Sequence, residues 1–248
     1  MNLDAVWHDL ECGAYTEDLD LWRTFADRTG GPVLDVGAGT GRVTLELAGR
    51  GVEVVALDLD EPLLAALAVR ANGLSVHTVV ADARAFSLDR RFSLIVVPMQ
   101  TLQLLGGSSG RASFLRCALA HLEPGGLLAA ALADAMDCFD EDHDVPPPPD
   151  SREILGMRYQ SQLLGVVDDD GRAAIHRRRE IVDAHDRVEA HHVVVHLDRV
   201  SADEVGTEAR RLGFIAEPHL YIPQTEQYLG STVVVLRAPP GGYERVDG

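Results

Sequence analysis

No lysine occurs anywhere in the 248 residues: the 22 basic side chains are all arginine, set against 39 Asp and Glu and a formal net charge of −17. Without an ε-ammonium there is no Walker A lysine, no Schiff base and no kinase-type phosphate lysine. The acidic balance also repels a phosphate backbone and weighs against nonspecific binding of nucleic acid. Cysteine is scarce. Cys12, Cys117 and Cys138 make no paired framework, so a reducing cytoplasm is expected. No apolar run approaches the roughly 18 residues that span a bilayer, and Met1-Asn2-Leu3-Asp4 lacks the basic and apolar regions of a signal peptide. A hydrophobic content of 46% in a chain of this length is enough for one large α/β domain, with or without a smaller insertion.

The most informative stretch is residues 33–41, V-L-D-V-G-A-G-T-G, an apolar run with Asp35 that ends in Gly37, Gly39 and Gly41. A buried strand ending in glycines ahead of a helix lets a ligand approach bare backbone, as nucleotide-like cofactors do. Arg42 stands where the dinucleotide fingerprint G-x-G-x-x-G wants its last glycine, so the match to NAD is imperfect. The stretch resembles instead the first motif of the class I S-adenosylmethionine-dependent methyltransferases, D/E-x-G-x-G-x-G, with Asp35 as the acidic residue.

A helix from Arg42 leads to a second strand, residues 52–57, that terminates in Asp58. At that strand tip a carboxylate can accept from both ribose hydroxyls, while Asp60 before Glu61-Pro62 suits the helix cap. Strand 75–80 runs into Ala81-Asp82-Ala83. The resemblance implies that Asp82 accepts from the adenine amino group, that Ala83 offers its backbone, and that Leu59 and Met99 complete the cofactor wall. Residues 92–97, F-S-L-I-V-V, read as a strand buried on both faces, ending at Pro98-Met99-Gln100-Thr101. Amino-methylating DNA and glutamine enzymes carry N/D-P-P-Y/F there, so P-M-Q-T argues against those substrates and leaves Gln100 as a substrate-orienting amide. A loop from Gly106 to Gly110 then introduces a helix, and L-E-P-G-G, residues 122–126, is again close to the family pattern.

Upstream, Leu21, Trp22, Phe25 and Ala26 mark an amphipathic helix, and Trp7, His8 and Tyr15 lie in a polar stretch. The resemblance implies that residues 1–30 form a helical lid, with Tyr15 as a lid residue. Downstream, Pro146–Pro149 and the acidic cluster Asp140, Glu141, Asp142, His143 and Asp144 read as a rim loop over 137–155 with a solvated face. Three antiparallel strands are expected near 156–167, 172–182 and 187–197. Their position resembles the insertion of amino-sugar N-methyltransferases, where an extra sheet roofs the acceptor pocket; Tyr159, Arg177, Arg179 and His192 become pocket candidates. His192 and His196 have the spacing of a helical zinc pair, but the valines between them make a strand and put them about 13 Å apart, so no metal is expected. Ser201 to Glu204 is a capping box, and 214–222 with 232–236 makes a closing antiparallel pair, followed by a flexible tail over 239–248.

The expected architecture is α/β: a seven-stranded, mostly parallel, doubly wound sheet over 31–136 and 198–238, with a three-stranded antiparallel insertion at 156–197. The resemblance implies S-adenosyl-L-methionine as cofactor and a small-molecule acceptor methylated at N or O, with Tyr15, Gln100 and Tyr159 orienting it. No nucleic acid or membrane partner is expected, and a homodimer is allowed. The rivals are a module that binds the cofactor without catalysis and a nicotinamide-dependent oxidoreductase, which Arg42, Asp82 and the closing pair disfavour.

Overall fold

The computed structural model describes residues 2–133, 139–140, 147–225 and 230–241. Two helices open the chain. α1 (Leu3–Cys12) is capped by the Asn2 side chain, which accepts from the Asp4 and Ala5 amides, and α2 (Leu19–Thr29) stops at left-handed Gly30. An alternation of strands and helices follows: β1 (Val33–Val36), α3 (Arg42–Gly49), β2 (Val54–Asp58), α4 (Glu61–Arg70), β3 (Val76–Val80), β4 (Phe92–Val97), α5 (Gly107–His121) and β5 (Leu122–Leu132). α4 is capped by Asp60, as expected, with Pro62 in its first turn. The Gly-Ser stretch ahead of α5, expected as loop, lies within the helix from Gly107 onward. The Asp198 carboxylate accepts from the Gly107 amide there, supplying the N-terminal partner that no local side chain offers.

The main sheet has the order β3-β2-β1-β4-β5, all parallel, continued by β13 (Ser231–Arg237) antiparallel to β5. β11 (Ile215–Ala216) and β12 (Leu220–Ile222) both pair with β13. The single strand expected over 214–222 is therefore two short ones, since Pro218 between them has no amide to give a ladder. Every residue of β1 and β4 is buried, because helices cover both sides. On one side Trp22 and Phe25 of α2 pack on Val33, Leu94 and Val96; on the other Phe114 and Leu115 of α5 and Val205 of α6 (Ala202–Arg211) pack on Leu34, Ile95 and Leu128. The predicted capping box opens α6, with Ser201 and Glu204 bonded reciprocally.

The insertion is a second, antiparallel sheet with five strands rather than three. β8 (Met157–Asp169), β9 (Arg172–Val182) and β10 (Val188–Asp198) stand within two residues of the expected limits. β6 (Phe139–Asp140) and β7 (Asp150–Ile154) also pair with β8, in the stretch read as rim loop. β7 joins β8 through Leu155-Gly156, both at positive φ, 52° and 75°, as a two-residue hairpin turn requires. Leucine rarely takes that conformation, and its presence hid the turn. Glu141 to Asp144 of the acidic cluster, Pro146 and Cys138 lie outside the described residues, as does the tail beyond Gly241.

No helix among the described residues is long and apolar enough to cross a membrane. The carboxyl ends of β1, β2 and β4 meet where the strand order reverses on either side of β1, the position at which open α/β sheets hold ligands. α1 contacts both α4 and the insertion sheet, and so lies across that opening.

Candidate active site

The floor of the site is the turn after β1. Gly37, Gly39 and Gly41 all have positive φ, at 74°, 54° and 96°. Side chains would be strained there, and all three would also collide: a Cβ on Gly37 would lie 2.5 Å from the Thr101 side chain, one on Gly39 2.2 Å from His8 Nε2, and one on Gly41 2.2 Å from Leu67 Cδ1. The turn is thus bare backbone between a residue from the β4 tip and a residue from α1. Beneath it, Asp35 is 1% exposed; its Oδ2 accepts from Thr44 Oγ1 at 2.6 Å, while Oδ1 has no partner among the described residues. Burial pushes this carboxyl up to about 6, against the pull of Thr44 and Arg42. An orphaned acceptor beneath a glycine cradle fits a ligand that brings its own donor.

Asp58, at the tip of β2, accepts the Gly39 amide on Oδ2 at 2.7 Å and the Asp60 amide on Oδ1 at 2.9 Å. These bonds fix its plane toward the turn and leave one lone pair on each oxygen. Leu59 beside it is 70% exposed. Asp82 is placed less simply. Its carboxylate is taken by Arg84, whose Nε and Nη2 and backbone amide all donate to it, and these bonds hold its pKa below the usual carboxylate range. For the carboxylate to accept from a ligand, the Arg84 fork would have to swing aside. Met99, two residues past the end of β4, has φ 55°, a left-handed conformation that costs a non-glycine residue energy and turns the chain sharply into the 3-10 turn Thr101–Leu104. Gln100 sits at that corner, half-buried, its carbonyl accepting from the Gln103 amide.

The two candidate tyrosines are more enclosed than an acceptor-contacting role requires. Tyr15 is 5% exposed, its ring 5.1 Å from the Arg42 guanidinium; burial, reinforced by the Asp18 charge, pushes the hydroxyl up to about 12. It keeps its proton at neutral pH and can donate a hydrogen bond, not abstract a proton. Tyr159 is 1% exposed and meets Trp7 of α1 edge-on, with ring centroids 5.6 Å apart. In this arrangement it is the core of the junction between α1 and the insertion sheet, not a wall of an open pocket.

Arg177 and Arg179, also pocket candidates, share the Tyr159 face of the sheet and hold α1. Arg179 donates to Glu11 through Nε at 2.8 Å and Nη2 at 2.7 Å, and Arg177 bonds Ser161 and Asp150. His192 lies on the opposite face, since it registers with Arg178, and it stacks on His176 instead of entering the site. His196 Nε2 lies 3.0 Å from Asp169 Oδ2. Sequence reasoning missed His8 as a site group, Thr40, Thr101 and the latch Asp9–Arg70. Only their positions on either side of the glycine turn connect them, and no local pattern carries contacts across 32 or 61 residues.

The family described as a methyltransferase domain matches residues 33–126. The chain is 29% identical over 144 residues to the cypemycin N-terminal methyltransferase of a Streptomyces species, covering 58% of this chain and 56% of that protein. It spans a little over half the length of the first curated relatives it matches, 56% and 57%. Among solved structures, the sugar N-methyltransferase KedS8 of a Streptoalloteichus species superposes with a TM-score of 0.74 at 19% identity, covering 95% of this chain and 92% of that one. The glycopeptide N-methyltransferase MtfA, solved with S-adenosyl-L-homocysteine, superposes at 0.57 with 26% identity and 91% of each chain covered. Motif, strand order and ligand cradle coincide: residues 33–126 match the methyltransferase domain, and the chain has the fold of the class I methyltransferases.

Proposed function

We propose that this chain transfers the methyl group of S-adenosylmethionine to a small-molecule acceptor at nitrogen or oxygen, with nitrogen favoured. The observation that carries the reading is the bare glycine turn with Asp58 bonded across it and the partnerless Asp35 oxygen beneath it. Gly37, Gly39 and Gly41 would hold the cofactor by close backbone approach, Asp58 would take its ribose, and Leu59 would cover one face of its adenine. When bound, the cofactor supplies the electrophile, a methyl on a positively charged sulfur. The chain's own tasks are then to orient the acceptor and exclude water. Met99, Gln100 and Thr101 at the β4 corner are the acceptor-side wall, and the Gln100 amide is the orienting group. α1 closes the site, latched to the core by Asp9 on Arg70 and Thr40 and to the insertion sheet by Glu11 on Arg179. The nitrogen preference rests on three of the similar proteins, described as an N-terminal methyltransferase, a sugar N-methyltransferase and a glycopeptide N-methyltransferase.

Incubation with methyl-labelled S-adenosylmethionine and panels of amino sugars, short peptides, phenols and carboxylates is expected to give labelled product and stoichiometric S-adenosylhomocysteine with an amine. Cofactor binding with no turnover on any panel would leave a binding module instead. Asp58→Ala is expected to weaken cofactor binding at least tenfold, about 1.4 kcal/mol, in a calorimetric titration. An unchanged affinity would remove Asp58 from the site.

A further inference from the structure

α1 touches the glycine turn through His8, whose Nε2 comes so near Gly39 that no side chain fits between them. The other ring nitrogen, Nδ1, stands 3.1 Å from Thr40 Oγ1. The Thr40 hydroxyl has one proton, and it is given to Asp9 Oδ1 at 2.7 Å. Asp9 is in turn gripped by both terminal nitrogens of Arg70. Toward His8 the threonine oxygen can therefore only accept. That assigns the imidazole proton to Nδ1 and leaves the lone pair on Nε2. Burial lowers the affinity of the ring for a second proton, against the raising pull of Asp58, Asp9 and Glu11, so the neutral form is the relevant one. Among the described residues none donates to Nε2.

On the same glycine, Asp58 presents its carboxylate through the bond from the Gly39 amide. Two acceptors, a fixed-tautomer imidazole nitrogen and a carboxylate, thus border one glycine from different elements. Neither can bond the other. Together they ask for a ligand that brings two neighbouring donors, and a vicinal diol does so.

We propose that His8 Nε2 is a cofactor-binding group, accepting a hydrogen bond from one ribose hydroxyl beside the one taken by Asp58, with the Asp9–Thr40 relay holding its tautomer. This rests on the S-adenosylmethionine reading above. Because His8 and Asp9 are adjacent on α1, the helix grips the protein with one residue and the ligand with the next. Closure of α1 and retention of the cofactor become one event.

The test is calorimetric titration of the full chain with S-adenosylhomocysteine and with its 2′-deoxy and 3′-deoxy ribose analogues. His8→Phe keeps a ring at the position and removes the acceptor; it is expected to bind S-adenosylhomocysteine at least tenfold more weakly. Against the analogue that lacks the hydroxyl facing His8, the same substitution is expected to cost less than threefold. Equal penalties against all three ligands would make His8 a packing residue, and unchanged or tighter binding would make it inert or obstructive; any of these overturns the proposal. A second readout uses no variant: the His8 15N resonances of the wild type should report an Nδ1-protonated ring whose Nε2 shifts on ligand addition, and an unmoved Nε2 resonance is contradictory. Failure of the wild type to bind S-adenosylhomocysteine at all would instead overturn the cofactor reading beneath it.

Discussion

Asp18→Ala is expected to cost about 3–5 kcal/mol of folding stability, the range found when one partner of a buried ion pair is removed. Asp18 is fully buried just before α2, and both its oxygens are engaged: Arg42 Nη2 donates to Oδ2 at 2.7 Å, Arg42 Nη1 to Oδ1, and Trp22 Nε1 to Oδ2 at 2.8 Å. Arg42 is itself only 9% exposed in its side chain. Burial alone would drag its pKa down, and the Asp18 carboxylate, with Asp35 and Cys12 adding to it, more than offsets that. Alanine would leave a guanidinium inside the protein, with the Tyr15 carbonyl still accepting from it but no carboxylate beside it. Urea denaturation measures the loss, and a fall of roughly 6–20 °C in Tm accompanies it at this chain length. Adding Arg42→Met to Asp18→Ala should recover most of the stability, because the stranded charge leaves with its partner. A single-variant loss below about 1 kcal/mol would mean that Arg42 reaches solvent, and that the α2 terminus is not tied to the helix behind the glycine turn.

The second large effect concerns Asp35 and changes in size with pH. Its folded pKa of about 6 stands above the ordinary 3.8, so the folded chain holds this proton more tightly than the unfolded chain does. Stability from this group is therefore full below pH 3.8 and lost as the pH rises to about 6. The loss is on the order of 3 kcal/mol. The carboxamide introduced by Asp35→Asn cannot ionise and can still accept from Thr44 through its oxygen. In urea titrations at pH 4 and pH 7, the Asp35→Asn difference from wild type should move in the variant's favour by about 2–3 kcal/mol. The same variant should bind S-adenosylhomocysteine at least tenfold more weakly, since the partnerless carboxylate oxygen is there for the ligand. A pH-independent difference would show that the carboxylate is solvated in the folded state. Gain in stability with loss of binding is the mark of a residue kept charged for its ligand.

The parts of this fold that were legible in the sequence are those specified by residues close together. The run from Val33 to Gly41 contains its own strand, turn and helix start, and the turns between Asp168 and Arg187 bracket β9 and β10 within two residues of where they stand. The strand pattern placed Tyr159 on β8. It could not tell that Trp7 covers it, because that contact spans most of the chain. The same limit hid α1: Glu11 reaches Arg179 across 168 positions, and nothing in either neighbourhood announces the other. Local rules also failed where a residue acts against its preference. Leu155 takes a conformation that favours glycine or asparagine, and β7 went unseen behind it. At Asp82, Arg84 two residues on competes for the carboxylate, a pairing that a motif does not weigh.

The most direct measurement of the central claim is calorimetric titration of the purified chain with S-adenosylmethionine, S-adenosylhomocysteine and NAD in parallel. The glycine turn, Asp35 and Asp58 predict saturable one-to-one binding of the first two and none of NAD, for which Arg42 occupies the last glycine position and is tied to Asp18. Tight binding of NAD with no response to the two sulfur nucleosides would contradict the reading of this site.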